Sequence, residues 1–295
     1  MITIMTPTYN RAYILHKAYM SLKKQTSFKF EWIIIDDGST DNTEEMVNQW
    51  MRECTDFDII YYKQSNGGKH RAINRAVQKA RYEWFLILDS DDELTENAVE
   101  MIHVWIADVI GCNDIVGVAG LKGTAEKVVG ERLKCEYIDA TNLERKKYGL
   151  LGDKAEVYKT EVLKQYPFPE FEGENFLRES AVWDRIAKDG FKLRWYNKII
   201  YFCEYIEDGL TKNTNTETYK RNFNGFIYCS RLFIETRPWL LALYKCGDFY
   251  KVAKGKGITM RMAAQILNVD LLPFMAGVLF YNLKQKFNGW YKKSI

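Results

Sequence analysis

The residues with the most chemistry in them are Asp89-Ser90-Asp91. If the strand before them continues, residues two apart point to one face. Two carboxylates on one face repel unless protons or a cation separate them. A hard divalent ion, Mg2+ or Mn2+, held by one or two carboxylates and completed by substrate phosphates, fits such a pair. Acids at this place also serve simply to solvate a turn. Asp92 and Glu93, directly before a helix start, read that way. Asp36-Asp37-Gly38-Ser39 has two readings: a turn in which Gly38 supplies positive φ, or a carboxylate that accepts a hydrogen bond from an N–H of a bound base. Gly67-Gly68-Lys69 either admits a diphosphate close to the backbone, with Lys69 as counter-charge, or is a solvated loop.

These clusters need elements to position them, and the first hundred residues provide an alternation. Ile2 to Thr6 is a short apolar run before Pro7; Ile14, Leu15, Ala18, Tyr19 and Leu22 then recur at helical spacing. Trp32 to Ile35, Ile59 to Tyr62 and Trp84 to Leu88 read as buried strands. Asp41 followed by Glu44 predicts a capping box opening a helix through Trp50. Ala72, Ile73, Ala76, Val77 and Ala80 mark another helix, and a fourth runs from an N-cap at Thr95 to about Asp108. Such alternation predicts an α/β fold, a mostly parallel sheet flanked by helices. In parallel sheets ligands sit beyond the carboxyl ends of the strands. Thr6 to Asn10, Asp36 to Ser39, Asn66 to Lys69 and Asp89 to Asp92 all fall at those ends. Beyond Gly111 the pattern weakens: strands are expected at Val116–Leu121 and Tyr196–Phe202, and a helix at Glu179–Lys188 stopped by Gly190. From about Leu210 only helical periodicity remains.

The 295 residues are 47% hydrophobic and 27% charged, which excludes disorder, and a net charge of +3 does not point to a nucleic-acid partner. Six cysteines without C-x-x-C spacing read as reduced thiols. The three histidines have no ligand spacing. Met1 to Pro7 reads as a strand rather than a leader, so the expected location is the cytoplasm.

Together, Thr6-Pro7-Thr8-Tyr9-Asn10-Arg11, Ile34 to Asp41, Asn66-Gly67-Gly68-Lys69 and Leu88 to Asp92 resemble family 2 glycosyltransferases of the GT-A fold. The resemblance is specific over residues 1–110 and looser to residue 211. It implies residues 1–110 as the nucleotide-sugar half of a GT-A domain, 111–211 as its acceptor half, and 212–295 as a helical extension. It also implies an inverting transfer from a nucleotide-diphosphate sugar, most often UDP-linked, to a glycan or lipid-linked acceptor, as in relatives that build bacterial capsule or exopolysaccharide. By position, Pro7 and Tyr9 would border the base, and Asp37 would contact the uracil. Gly67, Lys69 and Asn74 would line the nucleotide pocket, with Asp89 and Ser90 beside the ribose and metal. Asp91 would be the principal ligand of Mn2+ or Mg2+. The family's E-D pair is replaced by Glu179-Ser180-Ala181-Val182-Trp183, which makes Glu179 the expected base and Glu174 its rival on the acceptor loop. Trp183 is either a platform under the acceptor sugar or a core residue. Asp208-Gly209-Leu210-Thr211 also recurs in similar sequences and suggests a loop over the donor. A non-catalytic sugar-binding protein and a sugar nucleotidyltransferase remain as alternatives. The latter expects a glycine-rich loop after the first strand, which Pro7-Thr8-Tyr9-Asn10 lacks.

From Lys245 onward nine basic side chains face two acidic ones. Leu271 to Tyr281 is the most apolar stretch of the chain; Lys284, Lys286, Lys292 and Lys293 follow, interleaved with Phe287, Trp290 and Tyr291. Basic residues among interfacial aromatics predict a helix lying on an anionic membrane, so that the protein is peripheral on the inner face of the cell membrane. The alternatives are a helix docked on the catalytic domain and a dimer contact.

Overall fold

Strand β1 (Ile2–Thr8) and strand β2 (Phe30–Asp36) form the centre of the fold, and nearly every side chain in them is buried. Branched and aromatic residues on both faces of a strand require cover on both sides, which is what flanking helices provide. The computed structural model describes residues 1–124, 127–203 and 215–293, with side chains to residue 287. It divides into two units: residues 1–168 with 186–206, and residues 169–185 with 207–295.

In the first unit α1 (His16–Lys23), α2 (Thr43–Glu53), α3 (Lys69–Lys79) and α4 (Ala98–Asp108) alternate with β1, β2, β3 (Asp58–Lys63), β4 (Trp84–Ile87) and β5 (Glu93–Leu94). Then come β6 (Ile115–Gly123), β7 (Tyr137–Ala140), β8 (Lys154–Lys159), α5 (Thr160–Gln165) and β9 (Lys192–Phe202). The strand order is β3-β2-β1-β4-β8-β6-β9-β5, with β7 on β9. The first four strands are parallel, as the alternation predicts. The second half is mixed, because β8 runs antiparallel to both β4 and β6 while β6 and β9 are parallel. The sheet passes residue 110 without a break, since β6, β8 and β9 complete it.

Register brings the strand ends level: Thr8 pairs with Asp36, and Asp36 with Lys63. Chain order reverses at β1, with β2 on one side and β4 on the other, so the crevice beyond β1 and β4 is a topological switch point. Glu31 is fully buried in β2, yet satisfied: the Thr3 hydroxyl donates to it at 2.6 Å and Arg81 pairs with it. Asp41 opens α2, accepting from the Thr43 amide at 3.1 Å, but the capping box does not form: Glu44 pairs with Lys63 at 2.8 Å instead. The residue preceding α4 is Asn97, not Thr95.

Helix α6 (Ser180–Lys188) crosses from the second unit into the first. The second unit continues with α7 (Thr216–Arg221), α8 (Phe223–Thr236), α9 (Trp239–Lys254), α10 (Met260–Leu267) and α11 (Leu271–Lys293). Phe226, Phe249, Val252, Ala264, Leu267 and Phe274 form its own core. All six cysteines are free thiols. No single described helix is long and apolar enough to cross a membrane.

Candidate active site

The loops beyond β1, β2 and β3 are tied to one another before any ligand enters. The Asn10 amide donates to the Ser39 hydroxyl at 2.8 Å, and the Thr40 amide donates to the Asn10 side chain at 2.8 Å. Asp36, with no exposed surface, accepts from the Ser39 amide at 2.7 Å and from the Tyr61 hydroxyl. It therefore closes the turn at Gly38, whose φ is +90°. A side chain at Gly38 would also press on the Gln64 carbonyl and the Asn66 amide, so glycine is required there twice over.

Asp37 is 5% exposed and accepts from the Gly67 amide at 2.9 Å, the Gly68 amide at 2.7 Å and the Gln64 side chain at 2.8 Å. Two expectations change here. The Gly67 and Gly68 amides, expected to approach a diphosphate, are already bound to Asp37. Asp37, expected to hold the uracil, spends three bonds shaping the loop that opens α3. The Asn74 side chain exchanges two hydrogen bonds with the Phe168 backbone, at 2.8 and 2.9 Å.

Lys69, the first residue of α3, pairs with Asp89 at 2.5 Å and so joins the loop after β3 to the loop after β4. Strand β4 ends at Ile87, and residues 89–92 form a turn closed by the Asp92 amide on the Asp89 carbonyl at 3.1 Å. Strand alternation therefore does not bring Asp89 and Asp91 together; the turn does. Burial acts to raise the Asp89 carboxyl, but Lys69 and Lys122 outweigh it and hold it below the ordinary carboxylate range. Burial and the charge on Asp89 raise Asp91, against a smaller opposing pull from Arg11 and Lys69. Asp92 is 7% exposed, and burial followed by repulsion from Asp89 pushes it up to about 7. Ser90 is buried in the same turn, Pro7 is half-buried and Tyr9 is exposed beside it.

Sequence reasoning missed the floor of this turn. The Asp89 amide donates to the Tyr201 hydroxyl of β9 at 2.9 Å. Lys122 of β6 lies 3.9 Å above the Tyr201 ring centroid and 3.9 Å from the Asp92 carboxylate. The available signal was a lysine ending the apolar run of β6, since a lysine in a buried strand needs a buried anion.

A profile of the family described as Glycosyl transferase family 2 matches residues 3–166, more than half of the chain. The chain belongs to this family. It is 32% identical over 114 residues to the glycosyltransferase GlyG of Streptococcus pneumoniae, covering 37% of this chain and 38% of that protein. It is 34% identical over 119 residues to the abequosyltransferase RfbV of Salmonella typhimurium, covering 38% and 35%. The chain thus matches little more than a third of the length of these relatives. Among solved structures it is similar to residues 1–349 of Staphylococcus aureus TarS in complex with UDP-GlcNAc, at a TM-score of 0.64 and 16% identity over 97% of this chain and 91% of that one. The mannosyltransferase PcManGT of Pyrobaculum calidifontis, in complex with GDP-Man and Mn2+, gives a TM-score of 0.58 and 16% identity over 95% and 86%. At such identities the likeness speaks for the fold, which is the GT-A arrangement of this family 2 glycosyltransferase.

The donor set fits a divalent cation. Among the described residues no three His, Cys, Asp or Glu side chains form a metal cage, so an ion here needs ligands from its substrate. Asp91 and Asp89 would supply the ion's carboxylate oxygens, in a turn where burial first and repulsion from Asp89 second raise Asp91 and Asp92.

The family 2 glycosyltransferase carries its remaining candidates in the second unit. Glu179 directly precedes α6, and its carbonyl accepts from the Val182 amide at 2.9 Å. Glu174 is 8% exposed, and its carboxylate accepts from the Asn224 and Gly225 amides at 2.7 and 2.8 Å. Those are the first amides of α8, so Glu174 is a helix cap rather than a base. Trp183 is 6% exposed, as the core reading expects. Its neighbour Asp184, also buried, receives both bonds of its ion pair from Arg237 at 3.0 Å. The loop expected at Asp208–Thr211 and the side chains of Trp290, Tyr291, Lys292 and Lys293 lie outside the described residues.

Proposed function

We propose that this family 2 glycosyltransferase moves a sugar from a UDP-linked donor to a glycan or lipid-linked saccharide by a single inverting displacement. The observation that carries the reading is the Asp89–Asp92 turn at the β1/β4 switch point, clamped by Lys69 from the loop after β3. In this reading Pro7 and Tyr9 border the base at the end of β1, and Lys69 and Arg11 face the diphosphate. Asp91, with Asp89, would hold Mn2+ or Mg2+, which when bound would offset charge on the leaving diphosphate. The acceptor hydroxyl oxygen bonds to the anomeric carbon as the bond to the diphosphate oxygen breaks, and the hydroxyl proton passes to Glu179. Configuration at that carbon inverts because attack and departure occur on opposite faces. UDP is favoured by the TarS complex that the fold matches over nearly the whole chain, and GDP is the rival base set by the PcManGT complex. The protein works in the cytoplasm at the inner membrane face, which its basic C-terminal helix reaches.

Thermal unfolding against UDP-, GDP- and dTDP-sugars, with and without Mn2+, tests this. A donor at a hundred times its dissociation constant adds about 2.7 kcal/mol. The expected result is a metal-dependent rise of the midpoint with a UDP-sugar, abolished by Asp91→Ala. No rise with any nucleotide sugar in folded protein overturns the transferase reading in favour of a glycan-binding role. Release of pyrophosphate from UTP and a sugar phosphate, without glycosyl transfer, identifies a nucleotidyltransferase instead.

A further inference from the structure

Helix α11 is apolar on two opposite faces, and among the described residues only one of them is covered. On the inner face Phe274, Val278 and Tyr281 are buried against α9. The crossing is close: a side chain at Gly247 would overlap Tyr281, and one at Gly277 would overlap the Leu243 carbonyl. Tyr250 packs on Phe274, Tyr244 packs on Tyr281, and Gln285 donates to the Tyr244 hydroxyl at 3.0 Å, so α9 and α11 run antiparallel.

The outer face carries Leu272, Met275, Leu279, Leu283 and Phe287, which are 79, 46, 62, 47 and 72% exposed. Steps of three and four residues keep them on one stripe. The antiparallel register brings Trp239 and Leu240, 69 and 48% exposed, level with the far end of that stripe. No acidic residue occurs from Leu271 to Lys293. Exposed Lys284 and Lys286 lie at the same end, and Lys292 and Lys293 follow in sequence.

A continuous apolar stripe of this size on a protein surface marks an interface. Its charge selects the partner: leucines with lysines and a tryptophan at one end, and no carboxylate within α11 after Asp270, match a bilayer surface. There apolar side chains enter the acyl boundary and ammonium groups reach anionic headgroups. No single described helix is long and apolar enough to cross a membrane, and the inner face of α11 is committed to α9.

We propose that the outer face of α11, with Trp239 and Leu240 of α9, is the surface by which this protein lies on an anionic lipid bilayer, with α11 in the plane of the interface. The proposal rests on the membrane placement given above and assigns it to one face. Removing α11 would strip Phe274, Val278 and Tyr281 from the core, so exposed positions are the ones to change. Flotation of the full chain with phosphatidylcholine vesicles, with and without phosphatidylglycerol, reads the outcome. Wild-type protein is expected to float with the anionic vesicles. The Leu279→Glu, Leu283→Glu double variant is expected to lose roughly tenfold or more in partition, with unchanged circular dichroism and unfolding midpoint. Lys284→Glu with Lys286→Glu is expected to lose binding to the anionic vesicles specifically. If wild type floats and the leucine variant floats equally, the face is wrong while membrane placement stands. If wild type floats with neither vesicle, both fall. A wild-type dimer that the leucine variant converts to monomer, without flotation, makes the stripe a self-association surface and overturns the proposal.

Discussion

Asp37 and Asp91 both follow parallel strands of the sheet, yet their surroundings differ. Asp37 accepts three hydrogen bonds, two of them from amides of the loop before α3, whereas burial and Asp89 raise Asp91. Asp37→Ala is therefore expected to cost on the order of 3 kcal/mol of stability, since it strands buried donors, and to weaken donor binding as well. Asp37→Asn should fall between. Urea unfolding and a donor titration separate the roles: lost donor affinity at unchanged stability makes Asp37 a pure base contact. Lys154 provides a pH test away from the site. It is 3% exposed, and burial together with Arg145 lowers its pKa to about 8. Between that value and the unfolded lysine value near 10.4, the unfolded chain holds a proton that the folded chain has released. Stability should thus rise with pH across that window, by on the order of 2 kcal/mol relative to Lys154→Gln. A flat difference from pH 7 to 10 would mean that the carbonyls of Gly152 and Asp153, within 3.3 and 3.4 Å, keep the ammonium charged. Neither role was legible from residue type, because a carboxylate or an ammonium acquires its function from what surrounds it.

At the scale of elements, positions were legible and ends were not. The strands at β1 and β2 announce themselves by unbroken apolar runs, and α6 by its spacing up to Gly190. Strand β4, however, stops at Ile87, so the acids after it sit on a turn rather than a strand. The capping box expected at α2 fails because Lys63 on β3 competes for Glu44. Helix α8 takes its cap from Glu174, about fifty residues away, which no local pattern encodes. This separates two nearby glutamates by experiment. Glu174→Gln is expected to cost about 1–2 kcal/mol of stability and leave turnover near wild type. Glu179→Gln is expected to leave the unfolding midpoint in place and lower turnover roughly a hundredfold or more. Calorimetry beside a transfer assay decides the pair, and a reversal of the two outcomes would make Glu174 the base.

At the scale of the whole molecule, the loops proposed to hold the donor all belong to the unit of residues 1–168 and 186–206. Hydrogen exchange with UDP-sugar and Mn2+ should accordingly slow at residues 36–39, 64–69 and 89–92 and stay unchanged in α9, α10 and α11. Protection confined to those helices would move the donor site to the other unit. Sequence alone determined the α/β alternation, the family, the four polar clusters and the basic apolar C-terminus. Each is local: a run, a spacing or a charge count survives without knowledge of distant contacts. Only the tertiary structure decided that Asp37 builds the loop, that Asn74 serves Phe168, that Trp183 is core and that Tyr201 and Lys122 underlie the carboxylate turn. It also decided which side of α11 is covered. Those facts depend on pairings between residues up to 112 positions apart. Burial, charge compensation and hydrogen-bond saturation are properties of such pairs, and a linear pattern does not carry them.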